Sequence, residues 1–212
     1  MFRSSARRAS GRVEFSGRIA GFGSTSGTRF VVGLWSTSPL GRFADVMIED
    51  STGHRLLIAP TQSVADFVSA TYTFDEVRIV PVDWRYTSWG VELRAGELEL
   101  AVRVGGVSAL GRLLRIVPRR LSRSPLWLTA IDPIARVLVP GVRTAGSAGS
   151  GRREYYGVSL AREIEAVSGR WRGAEIGTVA RLEPPVRFGF ASAPPTPSVV
   201  DVTTTITGVP ES

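Results

Sequence analysis

The sequence predicts a β-rich α+β fold: a curved antiparallel sheet or barrel-like cone carrying one helical insertion. Three observations point there. Apolar and polar residues alternate with period 2 along most of the chain, the pattern of strands with one buried face. The alternating runs are joined by short stretches rich in Gly, Asp, Ser and Pro, which makes neighbouring strands antiparallel. One stretch, residues 105–141, breaks the period and sets leucines at helical spacing. With 212 residues, 43 % of them hydrophobic, the chain can fill one core, and a single domain over residues 11–207 is expected. Residues 1–10 read as a disordered basic tail and 208–212 as a frayed end.

Taken in order, residues 12–22 alternate cleanly, with Val13, Phe15, Gly17 and Ile19 on one face. The turn GFGSTSG follows; no helix pattern comes after it, so it is not a dinucleotide loop. Thr28 to Trp35 returns as a strand. Phe43 to Pro60 is the clearest hairpin. Ala44, Val46 and Ile48 alternate with Asp45, Met47 and Glu49, which predicts one solvated face. Asp50-Ser51-Thr52-Gly53 supplies the turn and Pro60 ends the return strand. Thr61 caps a helix expected to run to about Tyr72. Phe74 to Trp84 reads as one strand, at an edge or bulged because of Pro81. Val91 to Val104 is a hairpin about Ala95-Gly96. Residues 108–140 form the helical insertion, with Leu110, Leu113, Leu114 and Val117 as one apolar stripe. Ile164 to Ile176 reads as a hairpin turning near Arg172-Gly173, and Val186 to Phe190 and Val199 to Ile206 as the last strands.

Composition excludes more chemistry than the motifs suggest. All 26 Lys+Arg residues are arginine, cysteine is absent and His54 is the single histidine. Schiff-base, pyridoxal phosphate and P-loop chemistry need a lysine. Thiol catalysis, disulfides, iron–sulfur clusters and cysteine-rich zinc sites need cysteine. No metal or cofactor is therefore expected. No GxSxG elbow, zinc finger, RNP-like segment or helix-turn-helix occurs, so nucleic acid is not the favoured partner. The net charge of +7 still favours anionic surfaces. This arginine usage is that of a high-GC bacterial genome, and over most of its length the chain resembles the uncharacterised conserved proteins of actinobacteria. That resemblance implies no activity and no site residues.

Two places stand out for a site. His54 sits at the hairpin tip beside Glu49, Asp50 and Arg55, where a carboxylate-partnered imidazole can act as a base. Arg152-Arg153-Glu154-Tyr155-Tyr156 follows the small-residue loop of residues 141–151. Arginine and tyrosine together bind an acidic group or stack on a ring. In a strand, Arg153 and Tyr155 share one face, and Arg152, Glu154 and Tyr156 the other. The expected binding residues are thus Arg153, Tyr155, Tyr156 and His54. The favoured expectation is a small apolar or amphipathic ligand in a barrel-like pocket. The rival is an enzyme on the same fold, using these Arg, Tyr and His residues on an acidic substrate. A third reading lays Leu110 to Arg123 on an anionic membrane, the stripe inward and the arginines on headgroups. The start MFRSSARRASGR has no apolar segment behind its arginines, so the expected location is cytoplasmic, with room for a peripheral membrane contact.

Overall fold

The computed structural model describes residues 11–115, 128–129, 145–148, 152–189 and 193–209. Its elements are β1 (Gly11–Ser24), β2 (Arg29–Thr37), β3 (Phe43–Glu49), β4 (Arg55–Ala59), α1 (Gln62–Ser69), β5 (Glu76–Ile79), β6 (Val82–Tyr86), β7 (Gly90–Ala95), β8 (Leu98–Val107), α2 (Ala109–Leu114), β9 (Ala145–Ala148), β10 (Arg152–Trp171), β11 (Ala174–Glu175), β12 (Val179–Ala180) and β13 (Ser198–Val209). Ten strands form one path, β5-β4-β3-β2-β1-β13-β10-β8-β7-β6, with β9 and β11 attached to β10 and β12 to β1. The fold is β-rich and mostly antiparallel, a sheet curled into a half-barrel. The exception in direction is β4–β5, which pair in parallel because α1 carries the chain back between them.

The curl follows from where the apolar residues point. Even-numbered residues of β1 to β3 and alternate residues of β7 and β8 share one core. Phe22, Phe30, Leu34 and Ile48 meet Leu93, Leu98 and Leu100 there, and Phe22 stacks on Phe30 with ring centres 5.2 Å apart. Closing the sheet over itself is the way one sheet buries its own apolar face. It brings the β6 edge against β3, where the Arg42 guanidinium lies 3.7 Å from the Trp84 ring centre.

The outer face is covered too. Thr61 caps α1, its hydroxyl accepting the Val64 N–H at 3.3 Å, and Val64, Ala65 and Val68 pack on Phe15, Phe43 and Leu57. The helix ends at Ser69, short of the predicted Tyr72, because the next residues make other contacts: the Thr73 N–H bonds the Phe188 carbonyl at 2.7 Å. As a result β3 has no solvated face. Asp45 and Glu49, expected outside, are 3 % and 0 % exposed.

Other expectations change for local reasons. The predicted strand over 74–84 breaks at Pro81, which has no N–H for a ladder, and its halves β5 and β6 form the two ends of the path. β10 is one strand of 20 residues where two elements were expected. Register shifts at Val158/Leu160, Arg162/Ile164 and Ile164/Ala166 let it bend without ending. Residues 186–189 form no strand; Val186 and Phe188 are buried there as plugs, and Phe190 is outside the described residues. Of the helical insertion, α2 is described, held to the sheet where Gly111 meets the Ala161 carbonyl too closely for any Cβ; Val117, Arg119, Arg120 and Arg123 are outside the described residues. Leu113 is 51 % exposed, and a single exposed leucine is ordinary surface. No helix among the described residues is long and apolar enough to cross a membrane.

Glu49 is accommodated by an ion pair. Arg29, 5 % exposed, places Nη2 3.2 Å from Glu49 Oε1. The same guanidinium donates to the Pro184 and Asp50 carbonyls at 2.9 Å each, and the Arg187 N–H donates to Glu49 Oε2 at 2.7 Å. This cluster fastens residues 184–187 onto the β2–β3 ribbon. Removing one partner of such a pair leaves a buried charge unpaired. Arg29→Met is therefore expected to cost about 3–5 kcal/mol in urea unfolding, and Arg29→Met with Glu49→Leu to recover most of it.

Candidate functional site

Two concavities stand out among the described residues. One is a cleft of about 240 Å³ on the inner face, at the mouth of the half-barrel. Arg18, Tyr86, Arg162 and Asp201 line it. Arg18 is already committed: its Nε donates to Asp201 Oδ1 at 2.8 Å and its guanidinium lies 4.5 Å from the Tyr86 ring centre. Away from this mouth, the inside of the half-barrel is packed with apolar side chains, so the barrel interior expected to hold a ligand is core.

The second concavity, about 70 Å³, lies on the outer face beneath α1. Odd-numbered residues of β1 to β3 build its floor, among them Phe15, Val31, Trp35, Phe43 and Met47. Phe67 and Val68 of α1 roof it, and Phe67 sits 4.9 Å from Phe15 between ring centres. Gly33 belongs to the floor for a steric reason. A Cβ there would collide with both Asp45 Oδ1 and Trp35 Nε1. Its absence leaves room for the indole N–H to donate to Asp45 at 2.9 Å.

Polar groups collect along one side. β10 turns Glu154 and Tyr156 outward to this cavity, opposite Ile206 and Thr204 of β13. Thr71 and Tyr72 arrive from the end of α1. Tyr156 donates to Glu154 Oε2 at 2.6 Å and Thr71 to Oε1 at 3.4 Å. The Tyr72 and Tyr156 hydroxyls are in short contact. Since the Tyr156 proton is given to Glu154, Tyr72 is the donor in that pair. Desolvation first, then the Glu154 charge, raises Tyr72 against the hydrogen bond with Tyr156, which lowers it. Desolvation first, then Tyr72 and Glu154, raises Tyr156, so both phenols keep their protons. Thr204, 4 % exposed, has a hydroxyl with no hydrogen-bond partner among the described residues. Buried hydroxyls are normally satisfied.

Asp45 is a strongly perturbed carboxyl. Burial pushes it up to about 7, against the indole and its own backbone N–H, which act to lower it. Tyr72, Tyr156 and Glu154 are the titratable groups that share its cavity, and no arginine or histidine is among the described lining residues.

The predicted site residues scatter. Tyr156 lines the outer cavity. Tyr155, one residue away, turns to the other face, is 8 % exposed and packs with Leu128. Arg153 pairs with Thr207 in the ladder and is exposed. His54 belongs to a surface network: its Nε2 is 3.2 Å from Glu76 Oε2, which Arg172 Nη2 also approaches at 3.3 Å. Arg78 first, then His54, hold the Glu76 carboxyl below its usual range. Arg172 follows the end of β10 and Tyr155 stands near its start, so the long strand separates His54 from the Arg153–Tyr156 segment. His54 and the Arg153–Tyr156 segment do not share a concavity among the described residues. Among the described residues no three His, Asp or Glu side chains gather as a metal site. Sequence reasoning missed Asp45, Tyr72 and Thr204. The available signal was Asp45 itself, an acid inside the otherwise apolar run Phe43 to Ile48.

The raised carboxyl makes a testable mark on stability. A folded-state value near 7 against 3.8 means that the folded chain holds a proton the unfolded chain has lost. Stability should fall as pH rises through that window and level off above it. Asp45→Asn removes this slope. At pH 8 the variant should be more stable than wild type by about 2–4 kcal/mol, the difference closing towards pH 4, as read from urea midpoints.

Comparison with protein-family models, with curated proteins and with solved structures gives no match to this chain.

Proposed function

We propose that this protein binds a small amphipathic molecule in the cavity beneath α1. The observation that carries the reading is the form of that cavity: aromatic and aliphatic walls, with buried polar groups along one side and one hydroxyl left without a partner among the described residues. Ligand sites combine apolar walls with a few placed polar groups in this way. The mouth cleft is larger, but its walls are more polar and Arg18 is engaged with Asp201. Size limits what enters the cavity. About 70 Å³ is roughly half of the 150 Å³ that accommodates benzene, so the space fits a group of about four heavy atoms, and longer ligands would extend through its open side.

The reading needs no catalysis. The tyrosines keep their protons, and Asp45 meets the indole of Trp35 rather than an activated nucleophile. What the arrangement does chemically is orient a polar head and exclude water from an apolar tail.

Methyl NMR with 1-propanol tests it. Saturable shifts are expected at Val31, Met47 and Val68, in the millimolar range given the small number of ligand atoms. Val68→Phe puts a ring into the space and should abolish those shifts while leaving the rest of the spectrum native. Shifts that do not saturate, or that survive Val68→Phe unchanged, would overturn the reading.

A further inference from the structure

The polar side of this cavity is short of hydrogen-bond donors. Proton accounting shows it. Tyr156 spends its proton on Glu154 and Tyr72 spends its proton on Tyr156. Trp35 spends its N–H on Asp45, and Thr71 donates to Glu154. What remains directed at a guest is the oxygen of Tyr72, the Thr204 hydroxyl, which can act either way, and the carboxyl of Asp45, which donates while it keeps its proton and only accepts once it is ionised. Asp45 has no hydrogen-bond partner among the described residues beyond the indole and its own backbone N–H. The charge pattern agrees. In a chain of net charge +7, the described lining holds two carboxyl groups and neither arginine nor histidine.

Resting on the pocket reading above, the geometry points to a ligand with a cationic donor head, a small aliphatic amine, whose ammonium group sits against Asp45 and the Tyr72 oxygen while its carbon chain lies between Phe15, Val31 and Val68. An ammonium group has three donors and no acceptor, the complement of what this wall offers. A carboxylate would bring a like charge beside Asp45 and supply no donor. A neutral alcohol would supply one donor and no charge. Burying the ammonium requires a paired counter-charge, and Asp45 can be that partner only when ionised. Its raised proton affinity therefore couples amine binding to loss of the Asp45 proton. Tyr72, Tyr156 and Glu154 are the other titratable groups facing this space. Both phenols stay protonated through neutral pH.

The test compares 1-propylamine, 1-propanol and propionate by methyl NMR titration of the full chain between pH 5 and pH 8. At pH 8 propylamine should bind at least tenfold more tightly than 1-propanol, and propionate more weakly than either. Below pH 7 the propylamine affinity should fall by about tenfold per pH unit, while that of 1-propanol stays level. Asp45→Asn should remove both the amine preference and the pH slope and keep 1-propanol binding. If propylamine binds no better than 1-propanol, or its preference survives Asp45→Asn, the amine assignment is overturned and the pocket stands. If none of the three probes binds, the pocket reading falls, and the assignment with it.

Discussion

The structure depends on burying both faces of the β1–β3 ribbon. The inner face is buried because the sheet curls onto itself, the outer because α1 and residues 184–188 lie across it. That leaves no solvent for the two acids of β3, which share its outer face. Their fates differ, and the difference separates scaffold from site. Glu49 receives Arg29 and the backbone of Arg187, so its charge is matched and its role is to hold a loop. Asp45 receives an indole N–H and a cavity. An acid kept dry with no cation beside it among the described residues is held at a cost in stability, and such groups concentrate where proteins do chemistry or bind.

How much of this was legible depends on the range of the interaction. The hairpin over 43–59 was readable because its turn is local: the Asp50 carboxylate accepts the Thr52 and His54 N–H groups, and Gly53 takes φ +89°. The Ala95-Gly96 hairpin and the Thr61 cap are equally local. What escaped involved distant partners. Pattern alone predicts that an acid alternating with valine faces water, and only the placement of α1 and of residues 184–188 buries it. The continuity of β10 escaped for a similar reason, since its bulges look like turn signals until the neighbouring strands fix the register.

The site shows the same limit. Tyr156 was found from the company of arginines and tyrosines, but its working partners are Tyr72, 84 residues away, and Thr204 on another strand. Alternation separated Tyr155 from Tyr156 correctly in principle, and the two do face opposite sides of the sheet. It could not say which side held a cavity. His54 drew notice as the single histidine, and rarity in composition is no measure of position: it is one member of a surface ion network.

The place of β13 carries a consequence for biogenesis. This strand, last in sequence, lies between β1 and β10, in the interior of the ten-strand path, and its register sets Gly11 opposite Val209. A chain made from its N-terminus can assemble two ribbons, β1 to β5 and β6 to β10, but cannot join them until residues 198–209 have left the ribosome. Until then residues 11–21 of β1 and 153–163 of β10 lack the partner that β13 supplies, and such open edges are surfaces on which strands of other chains can add. Long-range pairing of this kind folds slowly, which lengthens the time those two edges stand unpaired.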